Sequence, residues 1–234
     1  ADGAYSGVYM AYLCCPGVEA PKGYSAMSTA LVLLNSVLGT ESASNQLVDD
    51  AVAELRATDP HLRVITRDLA SHPIPHLTAN AVAVIRGAEP KNAEQIDARA
   101  LSDQLIDELR SADVVVIGAP MYNFGIPSTL KTWFDYVLRA GVTFSYADAG
   151  PKGLITGKRA IVILTRGGLY SAGPAQAMDA QEPHLRTMLN FIGIFDITFV
   201  RAERLAFGPD ARESAIEAAR SQIGDTVRQL AVPA

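Results

Sequence analysis

Three short segments of this chain hold residue types that can do chemistry together. The first is Ser36-Val-Leu-Gly-Thr-Glu-Ser-Ala-Ser44, in which Ser36, Thr40, Ser42 and Ser44 follow an apolar run and lead into a helical pattern. Hydroxyl donors, free backbone N–H groups and the positive end of a helix dipole together make an anion site suited to a phosphate. The segment has neither Gly-x-Gly-x-x-Gly nor a Walker lysine, which argues for a terminal phosphate rather than a pyrophosphate or triphosphate. On these residues alone, Ser42 or Ser44 acting only as a helix cap is an equally good reading.

The second segment is Pro120-Met-Tyr-Asn-Phe-Gly125. A flat heteroaromatic ring needs apolar faces to stack on and amide groups in its plane, and Met121, Tyr122, Asn123 and Phe124 supply both. The plain alternative is a strand-end turn whose Met121 and Phe124 finish the core. The third is Thr165-Arg-Gly-Gly168, where Gly167 and Gly168 let another body approach the backbone beside the cation Arg166. Such a group can stabilise negative charge on a ring edge, although a Gly-Gly pair after a strand is by itself an ordinary turn.

These segments need a scaffold that brings loops together. Thr29 to Asn35 is a continuous apolar run of strand length, and Leu47, Val48, Ala51, Val52 and Leu55 recur at helical spacing within 45–56. A second strand is expected over 62–69, a short helix over 76–86, and a long helix over 92–111 with Ile96, Leu101, Leu105, Ile106 and Leu109 inward. Further strands are expected over 113–118, 159–164 and 196–201, and helices over 128–139, 182–192 and 209–230. Strands alternating with helices give an α/β fold, a doubly wound parallel sheet with right-handed crossovers and helices on both faces. Five such strands suit the flavodoxin-like order 2-1-3-4-5, in which ligands sit beyond the carboxyl ends of the strands. The three segments each follow one of those ends.

Composition bounds the rest. The chain has 234 residues, 49% of them apolar and 19% charged, as in an ordinary globular protein. With 20 Lys and Arg against 25 Asp and Glu, the net charge of −5 gives no global field for nucleic acid or anionic lipid. No apolar run reaches the length of about 18 residues that spans a membrane. Cys14 and Cys15 are adjacent and make neither a disulfide framework nor a zinc set, so no metal and a reducing, cytoplasmic setting are expected. Residues 1–26 hold both cysteines and four of the eight tyrosines, with Lys22 their one basic residue. They read as an N-terminal extension, with the working domain over 27–234. His61, His72, His76 and His184 are scattered and suggest no acid–base pair.

Taken together, these residues resemble the FMN-dependent NADH:quinone oxidoreductases and azoreductases of the flavodoxin-like superfamily. The resemblance runs from Met27 to about Phe207. Its most specific parts are Pro-Met-Tyr-Asn-Phe at 120–124, Leu130-Lys-Thr-Trp-Phe-Asp135, Arg139 to Tyr146, the Gly150-Pro-Lys-Gly-Leu154 loop and Arg166-Gly-Gly168. It implies two-electron ping-pong hydride transfer from NADH or NADPH to quinones and aromatic azo compounds. It also implies an obligate homodimer with one FMN per subunit at the interface.

Carried over residue by residue, the resemblance gives the FMN phosphate to Ser36, Ser42, Ala43 and Ser44. It gives the isoalloxazine to Pro120, Met121, Tyr122, Asn123 and Phe124, with Thr165, Arg166, Gly167 and Gly168 on the opposite edge. The substrate pocket falls to Phe124, Tyr146 and Tyr170, and no side chain is needed as a catalyst beyond the flavin. Two departures stand out: Glu41 puts a carboxylate in the phosphate loop, and Tyr170 stands where some relatives have histidine. A flavodoxin-type electron carrier is the alternative. It would share the first loop but be smaller and more acidic, without a substrate-lining segment at Tyr146. The apolar residues of 128–139 further suggest that this helix meets a partner subunit.

Overall fold

The computed structural model describes residues 29–147 and 150–230. The proposed N-terminal extension lies outside the described residues. The apolar runs form the central strands β1 (Thr29–Leu34) and β3 (Val114–Pro120), flanked by β2 (Arg63–Asp68). Two strands later in the chain, β6 (Arg159–Thr165) and β7 (Asp196–Ala202), complete a parallel sheet of order β2-β1-β3-β6-β7. Renumbered without the two short strands between β3 and β6, this is the expected 2-1-3-4-5 order.

Alternation along each strand sorts the side chains into two cores. Leu31, Leu33, Val115, Ile117, Val162 and Leu164 face helices α2 (Ala79–Ile85), α3 (Ala93–Ser111), α4 (Ser128–Val137) and α5 (Glu182–Ile192). On the other face Ala30, Val32, Val114, Val116, Ile161 and Ile163 meet α1 (Ala43–Thr58) and α6 (Pro209–Leu230). Both faces of β1, β3 and β6 are therefore covered, which is why these strands read as nearly unbroken apolar runs, whereas the edge strands β2 and β7 stay partly exposed. Gly118 allows α1 to lie close to β3, since a Cβ there would sit 2.9 Å from a Val48 methyl.

Several expectations are corrected. Helix α1 starts at Ala43 because Ser42 caps it, its Oγ accepting from the Asn45 N–H at 3.3 Å. Thr78 caps α2 in the same way, so the helix begins after the Pro73 and Pro75 segment rather than at His76. Ile96 is 56% exposed on α3, and Ala98 and Ser102 take inward positions instead. Helix α4 stops at Val137. The Arg139 N–H donates to Thr143 Oγ1 at 2.9 Å, outside any helix. Leu130, Trp133, Phe134 and Val137 are fully buried in their own chain, so these side chains of α4 pack inward and are not the surplus apolar surface that composition suggested.

The stretch expected as a loop at 150–154 contributes a strand. β4 (Phe144–Ala147) and β5 (Gly150–Gly153) pair antiparallel as a separate hairpin. Its backbone lies flat on the end of α5, where a Cβ on Gly153 would meet the Gly193 nitrogen at 2.2 Å. Gly193 itself holds φ +106° as the left-handed cap of α5.

Candidate functional site

The carboxyl ends of β1, β3 and β6 lie side by side, and each releases one of the three chemically equipped segments. After β1 the chain turns through Ser36 and a short 3₁₀ turn, Gly39–Glu41, into α1. Ser42 and Ser44 are buried with their Oγ atoms 3.0 Å apart. The N–H groups of Ala43 and Ser44 have no intramolecular acceptor among the described residues. Two hydroxyls and two free amides at the positive end of a 16-residue helix are what a phosphomonoester requires. Glu41 is exposed, whereas Ser42 and Ser44 are buried.

Buried Asn35, which sequence reading did not single out, fixes where this loop leaves the sheet. Its Nδ2 donates to the Gly118 carbonyl at 2.8 Å, and its Oδ1 has no partner among the described residues. An asparagine closing an apolar run was the available signal.

After β3 the chain makes a two-residue turn between Tyr122 and Gly125, whose N–H groups each donate to the other's carbonyl at 3.1 Å. Asn123 has φ +49° and Phe124 φ +71°, both in the left-handed region that a type I′ turn demands. Asn tolerates this, whereas for Phe it is strain of about 1–3 kcal/mol, held by the surrounding contacts. One of these is the Phe124 carbonyl, which accepts from the Ala180 N–H at 3.0 Å. The turn lifts Asn123 and Phe124 into solvent, while Met121 and Tyr122 are half-buried. Of the two readings of this segment, Phe124 does not finish the core.

After β6 the side chain of Arg166 turns inward, into a cluster of acidic and amide groups. Its guanidinium is buried and bonded at all three nitrogens: Nε donates to Gln181 Oε1 at 2.9 Å, one terminal nitrogen to Glu203 at 3.0 Å and the other to Asp179 at 2.9 Å. Its backbone N–H is taken by the Ala202 carbonyl at 2.9 Å. Three carboxylates, Asp179, Glu203 and, at 3.8 Å, Glu182, thus surround this cation, and three of its five N–H donors are bonded within the chain. Its work is to tie together both ends of the segment 169–181. Glu203 also accepts from the Tyr170 N–H at 2.8 Å and from the Ser171 hydroxyl, while Asp179 accepts from the first N–H groups of α5. Burial pushes Glu203 up, but the Ser171 hydroxyl, the Tyr170 N–H and Arg166 outweigh it and hold the carboxyl below its usual range. Gln181, Asp179 and Glu203 escaped sequence reading, since the spacing of 166, 179 and 203 shows no pattern.

The donors that remain after β6 are the amides of Gly167 and Gly168, which have no intramolecular acceptor among the described residues. Thr165 is buried at the strand end, its carbonyl accepting from the Met121 N–H at 2.9 Å. Of the three expected pocket aromatics, Phe124 and Tyr170 meet edge to face with ring centroids 6.1 Å apart. Tyr146 stands on the β4–β5 hairpin instead, packed on Phe144 and 75% exposed.

A doubly wound sheet whose three switch-point loops offer an anion cradle, a strained aromatic turn and two free glycine amides defines a flavodoxin-like protein. A family model described as flavodoxin-like fold matches residues 28–227. Among curated proteins, the FMN-dependent NADH:quinone oxidoreductase of Hyphomonas neptunium is 50% identical over 208 residues, covering 89% of this chain and 100% of the relative. That of Ralstonia nicotianae is 52% identical over 201 residues, covering 85% and 97%. Among solved structures, an azoreductase from Bacillus anthracis superposes with a TM-score of 0.79 at 28% identity, covering 87% of this chain and 100% of that one. The chain belongs to the FMN-dependent NADH:quinone oxidoreductase family within the flavodoxin-like fold.

Proposed function

We propose that this protein is an FMN-dependent NAD(P)H oxidoreductase that reduces quinones and aromatic azo compounds by two-electron hydride transfer. The observation that carries the reading is the convergence at one sheet edge of unpaired donors of two kinds: Ala43 and Ser44 on α1, and Gly167 and Gly168 after β6. The first pair, with the Ser36, Ser42 and Ser44 hydroxyls, holds a phosphate. Pro120, Met121, Tyr122, Asn123 and Phe124 hold the ring system on one side, with Thr165, Gly167 and Gly168 on the other. Arg166 supports this arrangement from behind by fixing the segment 169–181. Bound there, FMN supplies the hydride-accepting and hydride-donating chemistry.

The chain's own part is to hold and orient the reactants. Phe124 and Tyr170 make an apolar wall, and donor and acceptor occupy the space beside it in turn. Water can supply the protons, so no acid–base pair of side chains is required. The working unit is residues 27–234 in the cytoplasm, as a homodimer. Large apolar side chains stand outside the core at Val37, Leu38, Tyr146 and Phe195, as they do where a second copy packs. The reading is tested by acid release of the flavin from purified protein. FMN in a 1:1 ratio to chain is expected, and recovery of FAD, or protein that cannot be reconstituted with either flavin, contradicts it.

A further inference from the structure

Beside the Phe124–Tyr170 wall lies an open cavity of about 390 Å³ lined by Gly168, Tyr170, Pro174, Met178, Arg204 and Phe207, among others. Its walls are apolar, and Arg204 is the one cation among its lining residues. Met178 and Phe207 are both largely exposed. Arg204 is exposed too, and its guanidinium has no ion pair or hydrogen bond among the described residues. The neighbouring carboxylates do not serve it, because Glu203 and Asp179 are both turned inward to Arg166.

The backbone holds Arg204 there at φ +62°, a conformation that favours glycine. The strain is imposed by a ladder of bonds: the N–H groups of Arg204, Leu205 and Ala206 donate to the carbonyls of Gly168, Arg166 and Gly167 at 2.9–3.1 Å. Phe207 N–H then donates to the Arg204 carbonyl at 3.0 Å and closes the turn. A glycine would relieve the strain and keep every one of these bonds. An arginine adds only a planar cation at the rim of an apolar cavity, next to the glycines of the proposed cofactor site. Strained positions of this kind cluster where a side chain serves a ligand.

We propose that this cavity is a subsite for a flat aromatic ring carrying an anionic group. Tyr170, Met178 and Phe207 take the ring, and Arg204 takes the carboxylate, sulfonate or phosphate. The guanidinium presents a planar fork that matches such oxyanions two bonds at a time. The proposal rests on the oxidoreductase reading for its place in turnover. The anion can belong to the electron acceptor's ring or to the phosphates of the dinucleotide donor.

The test uses FMN-reconstituted wild type, Arg204→Gly and Arg204→Lys. Calorimetric titration with 2-naphthalenesulfonate, and with 2-methoxynaphthalene as an uncharged counterpart, reads the subsite without turnover. Arg204→Gly is expected to weaken the sulfonate about tenfold, the effect of one charge-assisted bond, and to leave the uncharged ring unchanged. Arg204→Lys should recover part of that loss. Equal sulfonate affinity in wild type and Arg204→Gly overturns the proposal, as does an equal loss for both rings. Because glycine suits the backbone, Arg204→Gly should melt no lower than wild type.

Steady-state kinetics separate the two sources. A raised KM for a carboxylated quinone, with an uncharged quinone unaffected, assigns the anion to the acceptor. A raised KM for NADH assigns it to the donor, and either supports the subsite. No change in any KM overturns its part in turnover. Failure of wild type to oxidise NADH contradicts the oxidoreductase reading and leaves the titration standing as the test of the subsite.

Discussion

The Tyr122 hydroxyl lies 3.2 Å from the Val37 nitrogen, from which it accepts a hydrogen bond. The same hydroxyl is 3.4 Å from Ser36 Oγ, so one phenol ties the loop of the proposed phosphate site to the turn of the proposed ring site. Tyr122→Phe should loosen FMN by about 0.5–1.5 kcal/mol, the usual net value of a neutral hydrogen bond, with little change in melting. Flavin fluorescence titration checks this, and an unchanged Kd counts against a coupling between the two loops.

Ser44 bears on the phosphate more directly. Ser44→Ala removes a fully buried hydroxyl whose described partner is Ser42. FMN affinity should fall by roughly 1.5–3 kcal/mol, the range for a hydrogen bond to a charged group. Riboflavin, which lacks the phosphate, should bind both proteins alike.

Phe124 tests the meaning of strain at the ring site. Phe124→Asn keeps the turn and relieves about 1 kcal/mol of left-handed strain, since Asn tolerates that region. Melting should hold steady or rise while turnover falls, because the Phe124–Tyr170 wall is lost. Wild-type turnover in this variant would show that the aromatic ring serves only the fold.

Arg166→Ala should be a stability variant and not a redox variant. Removing the cation leaves Glu203 and Asp179 facing a buried gap, and breaking a buried ion pair in this way costs about 3–5 kcal/mol. Denaturant unfolding of the apoprotein should register that loss. A fall in flavin midpoint potential with unchanged stability would restore Arg166 to the edge of the ring.

Acid should weaken the same clamp. Burial opposes the Glu203 charge, but the Ser171 hydroxyl, the Tyr170 N–H and Arg166 hold its folded pKa below the ordinary value. A depressed carboxyl contributes stability that is fully present above its unfolded pKa of about 4.3 and is lost as pH falls through the lower folded value. The gap in melting temperature between wild type and Glu203→Gln should therefore narrow below about pH 4.3. A gap that stays constant contradicts the assignment.

How much the sequence discloses follows from the reach of each signal. Strands buried on both faces, such as Val114–Pro120, need unbroken apolar runs, and α5 and α6 begin and end where their periodicity does. The loops at Ser36–Ser44, Met121–Phe124 and Gly167–Gly168 were legible because chain order places them at strand ends. What stayed hidden was non-local. Gly150-Pro-Lys-Gly153 carries no strand propensity and pairs because Phe144–Ala147 lies opposite it. Arg166 looked like a free cation because its partners arrive 13 and 37 residues later. The apolar content of α4 looked like a surplus because the core that covers Trp133 and Phe134 is assembled from elements elsewhere in the chain, α3 among them.

The most direct measurement is the rate of NADH oxidation by the FMN-reconstituted protein with NADH and an uncharged quinone both varied. One pocket used in turn by donor and acceptor predicts quinone-dependent oxidation and parallel double-reciprocal lines. FMN-loaded protein that oxidises no NADH in the presence of quinone would contradict the reading of this chain as an oxidoreductase, and converging lines would contradict the shared pocket.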